Sequence, residues 1–451
     1  MASALAEDDI ARVLAIAAPP GGISTWTVTP DAYPVLTPST EALDRVVART
    51  AGGREVRVFA KTIRSLRHWP MIGILSPEDR KTAIERFPWR TEADVYASSL
   101  VRHLPDGLRA PRTYAIDDLG DDRIRIWMED LPVGAVPWDL ERYASAARGL
   151  GRLAGRSHRD GLPADTPPLF GGLRMLWSMR IANTVLPALR DDATWRHPLM
   201  VATGEADPAL RADLLALAGG VPTILDGLDT LPGGLAHGDA CPQNLLPDPD
   251  RPGGFVAIDW GFANVAPLGS DLVQLLTGRA DNGELGVEDL PPIADAILAA
   301  CLDGLRDEQV DASPVDVRRA FHGGLVVGKA FSALPIERLG GPVDDRPGRS
   351  SWRGRATPAT CSTSVTGCLP APDPVGRPAG LRPGAPHLPA ERAPRARRTA
   401  RPCPARVRVP DLHPCASFRA ERVKAGGSVP CSPPGIWRAA RSPAGPPSRS
   451  Q

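Results

Sequence analysis

Cysteine is scarce in the part of this chain that reads as folded: of seven cysteines in 451 residues, only Cys241 and Cys301 precede residue 346. None forms C-x-x-C or a Cys/His set at zinc-ligand spacing, which excludes a metal knuckle. A long, cysteine-poor body also excludes the disulfide scaffold of small secreted domains. A reducing, cytoplasmic setting is expected. Long apolar runs are missing too. The longest, such as "LLALAGGVPTIL", span about a dozen residues, against the roughly 20 that a membrane-spanning helix needs. The opening "MASALAEDDIARVLAI" carries acids where a signal peptide carries positive charge. The expectation is a soluble protein with no membrane partner.

Charge is absent only on average. The whole chain is net +1, yet residues 346–451 hold 19 Lys/Arg against 4 Asp/Glu, which leaves residues 1–345 at net −14. That segment also has 20 prolines, one lysine and no apolar periodicity. It cannot gather enough apolar surface to offset its ordering entropy, so a disordered tail is expected. With few aromatics to stack on bases and no motif, it does not read as a nucleic-acid partner. Arg/Pro/Gly/Ala-rich text of this kind also follows when the frame of a GC-rich gene slips, here near residue 345, and the abrupt end of helical text favours that reading.

What is present before the tail is ordered text. From Ser24 to about Ile63, "TWTVTP", "DRVVART" and "REVRVFAKTI" alternate as strands, with Ala51-Gly52-Gly53 as a turn. "TEADVYASSLVRHL" places Ala93, Tyr96, Ala97, Leu100 and Leu104 at helical spacing behind Thr91 as N-cap. "RIRIWMEDLP" reads as a further strand ended by Pro132. Beyond it, "RYASAARGLGRLAGRSH", stretches around 171–190 and 208–219, "LGSDLVQLLTG" capped by Ser270, "PPIADAILAACLDGL" and "VRRAFHGGLVVGKAF" read as helices, with "FVAIDW" as a short buried strand. No internal repeat is present.

Two stretches carry chemistry-bearing residues: "AHGDACPQNLL", with His237, Asp239 and Asn244, and "IDWGFANVAPLGSDL", with Asp259 and Asp271. Asp and Asn beside Gly and Pro often only satisfy a local turn. His237 and Asp239 as metal ligands would need further His or carboxylate neighbours, and none is evident, which disfavours a metal-dependent hydrolase. Asp271 alone could simply favour a helix N-terminus.

Together, the two segments resemble the catalytic and metal-binding segments of the aminoglycoside phosphotransferase and choline kinase-like family, over about residues 24–340. The resemblance implies an α+β, bilobal protein kinase-like fold: an N-terminal segment 1–23, a small antiparallel-sheet N-lobe over 24–131, a larger helical C-lobe over 132–345, and the tail 346–451. It implies Asp239 as catalytic base, with Asn244 at Asp-x4-Asn spacing and Asp259 as Mg2+ ligands. Mg2+ suits such sparse oxygen ligation completed by phosphate and water. Lys61, at the end of "VRVFAK", stands where a kinase lysine reaches the ATP phosphates, and Glu92 matches the helix Glu that pairs with it. Glu129, Asp130 and Leu131 of "WMEDLP" resemble the hinge whose backbone meets adenine, their side chains being incidental. His237 and Asp271 are implied to be structural.

One departure is plain: no G-x-G-x-x-G lies between the first two strands, where "DAYPVLTPSTEALD" leaves Thr37, Ser39 and Thr40 as candidates to cover phosphates. The expected reaction is Mg2+-dependent transfer of the ATP γ-phosphoryl group to a hydroxyl of a small molecule, and the acidic body suits a cationic acceptor. The alternative is a non-catalytic pseudokinase or nucleotide-binding module, which would not need a base. A protein kinase proper is disfavoured, because the short interval from Asp259 to "LGSDL" leaves no activation loop for a peptide.

Overall fold

The computed structural model describes residues 5–18, 22–31, 37–132 and 136–332, together with 334, 336 and 339. The Pro/Arg-rich segment 346–451, and with it the expectation of a disordered or out-of-frame tail, lies outside the described residues.

The first lobe is a five-stranded antiparallel sheet in the order β1-β2-β3-β6-β5. Its strands are β1 Ile23–Pro30, β2 Thr40–Thr50, β3 Glu55–Arg64, β5 Thr113–Gly120 and β6 Arg123–Glu129, with the short β4 Leu108–Arg109 standing outside it. The turn at Ala51-Gly52-Gly53 joins β2 to β3, and Ala48 pairs with Val56 across it. Alternation puts Val46, Ala48, Val56, Val58 and Ala60 on one face. That face is covered by α1 Glu7–Ala17 through Ile10, Val13 and Leu14. Residues 1–23, set apart as a separate segment in the sequence reading, thus contribute a helix to this lobe: i, i+3, i+4 apolar spacing gives it the stripe that seals the sheet. The opposite face carries Phe59 and Lys61 toward the second lobe.

α2 Pro77–Arg86 and α3 Thr91–Ala97 follow β3. Two expectations are corrected here. Thr91 is the first helical residue rather than the cap, its hydroxyl donating to Pro88 O at 2.8 Å. The helix also stops at Ala97, because the Ser98 hydroxyl donates to Val95 O and accepts from Leu100 N–H, offering the backbone an alternative to the next turn.

The second lobe holds α4 Leu140–Asp160, α5 Gly172–Leu176, α6 Leu186–Arg190, α7 Asp192–Arg196, α8 Pro198–Ala206, α9 Leu210–Asp229, α10 Leu272–Asp281, α11 Leu290–Asp307 and α12 Pro314–Lys329. A π-helical stretch, Trp177–Val185, joins α5 to α6, so the region expected around 171–190 is continuous but underwound at its centre. Its short strands are β7 Gly233–Ala236, β8 Leu245–Pro247, β9 Phe255–Ala257 and β10 Asn264–Pro267. β8 and β9 pair antiparallel, β4 adds to β9 in parallel, and β10 pairs with β7. A single core runs from Tyr96, Leu100 and Ile126 of the first lobe to Tyr143, Leu150, Trp260, Leu272 and Ile297 of the second. Among the described residues no single helix is long and apolar enough to cross a membrane.

Candidate active site

The loop from Ala236 to Leu245 is fixed through three residues, Gly238, Asp271 and His237. Gly238 sits at φ +81°, and a Cβ there would lie 2.0 Å from Phe262 O, so only glycine fits. Asp271 accepts from the backbone N–H groups of His237 and Gly238 at 2.8 and 2.9 Å. Ser270 does not cap α10 as expected; its hydroxyl donates to Pro267 O, and α10 starts from Asp271. His237, fully buried, donates from Nε2 to Ile258 O at 2.9 Å and accepts at Nδ1 from Asp239 N–H at 3.3 Å. Both contacts demand the neutral Nε2–H tautomer. Burial pushes the ring down to about 4, against the pull of Asp259 and of the Ile258 carbonyl, so it stays neutral. Its centroid lies 4.5 Å from that of Trp260.

Asp239 and Asn244 face each other within this loop. Asn244 Nδ2 donates to Asp239 O at 2.9 Å and to Asp239 Oδ2 at 3.0 Å. With the amide nitrogen so engaged, Oδ1 is the atom left to offer a cation. Burial, then repulsion from Asp259, push the Asp239 carboxyl up to about 7, against the pull of Lys329 and the Asn244 amide.

Asn244 and Asp259 are neighbours because β8 and β9 pair: Leu245 is opposite Ala257, and Ile258 N–H donates to Asn244 O at 3.0 Å. Asp259 follows β9 in the left-handed region at φ 63°, a strained setting of the kind found at functional sites. Its Oδ1 meets Lys61 Nζ at 3.0 Å, and Lys61 Nζ meets Glu92 Oε2 at 2.6 Å. Burial alone would raise Asp259, but the Lys61 ammonium outweighs it and holds the carboxyl below its ordinary value. Lys61 in turn stays protonated: burial opposes its charge, and the two carboxylates more than restore it.

Seven of the residues named from sequence are thus linked by hydrogen bonds and ion pairs into one cluster. Lys61 and Glu92 come from the sheet lobe, and Asp239, Asn244, Asp259, His237 and Asp271 from the helical lobe. Among the described residues no group of three or more His, Cys, Asp or Glu could hold a metal ion. The donor set present is one carboxylate and one amide oxygen. That hard, oxygen-only pair fits Mg2+, which keeps waters and phosphate oxygens in its remaining positions.

At the end of β6 the side chains of Glu129, Asp130 and Leu131 serve the fold. Glu129 pairs with Arg109, whose Nε reaches Asp248 at 3.0 Å, tying the last sheet strand to the turn after β8. Asp130, almost wholly buried, pairs with Arg45 and Arg57, and Arg45 also holds Asp31 at 2.8 Å. Leu131 packs with Leu246, Val256 and Ile258 beneath the hinge. In the loop before β2, Thr37 donates its hydroxyl to that of Thr40 at 2.6 Å, and Ser39 O accepts from Arg64 N–H. Residues 32–36 lie outside the described residues.

Sequence reasoning missed Tyr96, Arg45, Arg109 and Lys329. The Tyr96 hydroxyl accepts from Asp259 N–H at 3.2 Å. Its place four residues after Glu92 on one helix was a readable signal, whereas the arginines are distant in sequence from what they hold.

A small antiparallel sheet above a helical lobe, hinged after its last strand and carrying a buried Lys–Glu pair, is the build of a kinase-like transferase. The chain belongs to the phosphotransferase enzyme family, whose model matches residues 46–307. Among solved structures it is similar to amicoumacin kinase in complex with AMP-PNP, Ca2+ and Ami, at 13 % identity and a TM-score of 0.43, over 74 % of this chain and 88 % of that one. It is also similar to choline kinase LicA from Streptococcus pneumoniae, at 11 % identity and a TM-score of 0.40, over 77 % and 93 % of the two chains. An aminoglycoside phosphotransferase from Alicyclobacillus acidocaldarius matches at 18 % identity and a TM-score of 0.36, over 64 % and 77 %. No curated protein matches the chain.

Proposed function

We propose that the chain transfers the γ-phosphoryl group of ATP to a hydroxyl of a small molecule, with Asp239 as the base and Mg2+ held by Asn244 and Asp259. The observation that carries this reading is the convergence on one cleft of Lys61, Asp259, Asn244 and Asp239 from separate elements. In this reading Asp239 accepts the acceptor's hydroxyl proton and aims its oxygen at phosphorus. Lys61, steadied by Glu92, holds the α- and β-phosphates, and the backbone of Glu129 to Leu131 meets adenine. Asn244 Oδ1 and the Asp259 carboxylate hold the cation, which when bound neutralises charge on the phosphate oxygens. His237 and Asp271 keep the loop in shape without touching substrate.

The test is ADP release by the purified full chain with ATP and Mg2+ against amino sugars, amino alcohols and sugars, beside an Asp239→Ala control. Turnover with at least one acceptor, lost in the control, supports the reading. A slow rate equal to that control for every acceptor would favour the binding-module alternative.

A further inference from the structure

Lys329 closes α12, and its ammonium donates to Gln274 Oε1 at 2.6 Å and pairs with Asp281 Oδ2 at 2.7 Å. Gln274 and Asp281 flank Gly278 on α10 at i−4 and i+3, so the three share one face. That face lies on the loop of Asp239, since a Cβ at Gly278 would stand 2.5 Å from Cys241 Cβ and 3.1 Å from Pro242 Cδ. Lys329 is thus pinned beside the loop, on the helical-lobe side of the cleft. Lys61, by contrast, enters from the sheet lobe. The Asp281 side chain is 52 % exposed and that of Lys329 18 %, which puts the carboxylate on the solvent side and the ammonium inward. The neighbouring Glu284 is matched by Arg279 at 2.9 Å and by Gln243 at 3.4 Å. Lys329 is also among the charges that act on the Asp239 carboxyl.

We infer that Lys329 is a specificity-determining residue of the acceptor site: it meets the non-reacting oxygens of a neutral or anionic hydroxyl compound and disfavours one with an ammonium beside the reacting hydroxyl. This rests on Asp239 being the base, because the acceptor hydroxyl is placed by that carboxylate. Net charge of the body pointed to a cationic acceptor, but an ammonium pinned beside the Asp239 loop acts at closer range than carboxylates spread and screened over the body.

The experiment measures kcat/KM of the full chain, with ATP and Mg2+, for gluconate, glucose and glucosamine, which share a carbon skeleton and differ in charge. Wild-type protein should prefer gluconate or glucose to glucosamine. Lys329→Gln should cut the gluconate-to-glucosamine ratio about tenfold, and Lys329→Arg should keep it. Asp281→Asn, which removes the carboxylate opposing Lys329, should move the ratio the other way, a change that loss of fold cannot produce. A wild-type preference for glucosamine, a ratio unmoved by Lys329→Gln, or no turnover of any of the three in any variant overturns the inference. Acceptor-stimulated ADP release, the rate with glucose minus the rate without acceptor, separates the two claims. If it persists in Asp239→Asn at the wild-type rate, the reading of the base fails, and Lys329 with it. If it is lost there while the ratios stay flat, only the role of Lys329 fails.

Discussion

The ammonium of Lys61 lies 3.0 Å from Oδ1 of Asp259, although 198 residues separate them in sequence. With Glu92 on its other side, this one cation ties the buried Glu92 carboxylate of the sheet lobe to the partly exposed Asp259 carboxylate of the helical lobe. Lys61→Met removes the charge and keeps most of the volume. It should lower stability by about 3–5 kcal/mol, the usual cost of leaving buried charge unpaired. Denaturant unfolding checks this, and an unchanged midpoint would mean that the carboxylates are protonated or solvated without Lys61.

Gly238→Ala tests the geometry of the loop. The added Cβ would fall 2.0 Å from Phe262 O at a φ of +81°, so strain and overlap act together. A loss of about 3 kcal/mol or more is expected, measured as a fall in the unfolding midpoint. Alanine at Gly219, which has open space and no positive φ, should be tolerated.

Tyr96→Phe removes only the hydroxyl that accepts from Asp259 N–H. A buried donor is then left without its partner, for an expected loss of about 1–3 kcal/mol. Asp259 would also lose a restraint on its left-handed backbone, so ADP release should fall together with the unfolding midpoint. A midpoint that falls while the rate stays constant would confine Tyr96 to packing.

Acid should weaken the fold through His237. The ring titrates near its ordinary 6.5 when unfolded and, desolvated by burial, only at about 4 when folded. Between those values the unfolded chain takes up a proton that the folded chain refuses, so stability falls as pH drops through the window, by up to about 3 kcal/mol. Asp271, raised to about 6 by burial, contributes the opposite slope between its ordinary 3.8 and that value. The comparison that isolates the histidine is therefore wild type against His237→Gln, both unfolded in denaturant from pH 7 to pH 4. The variant should lack the histidine's share of the slope, and identical slopes would contradict its neutral, buried state.

Much of this was legible from local pattern. Period-2 text gave β2 and β3, and 3.6-period text gave α4, α11 and α12, because each element buries one face. Asp239, Asn244 and Asp259 stood out because a loop and the strand after it lie close in sequence. The helix α1 went unread, since its acidic first turn drew attention to targeting instead of to Ile10, Val13 and Leu14. Helix ends were missed where a serine hydroxyl chose a different backbone partner, at Ser98 and Ser270. The ties of Arg45 to Asp130, Arg109 to Glu129 and Lys329 to Asp281 depend on tertiary approach, which single-sequence periodicity does not encode.

The central claim is that Asp239 acts on the acceptor hydroxyl and not in holding nucleotide. Asp239→Asn keeps the shape of the loop and the contact with Asn244 while removing the basic oxygen. The most direct measurement pairs ADP release with the affinity for a fluorescent ATP analogue, in wild type and in this variant. Release should drop by at least about 100-fold with affinity within about twofold, as expected when a group acts in the transition state alone. A variant that still turns over near the wild-type rate, or that loses nucleotide affinity as steeply as turnover, would contradict the account.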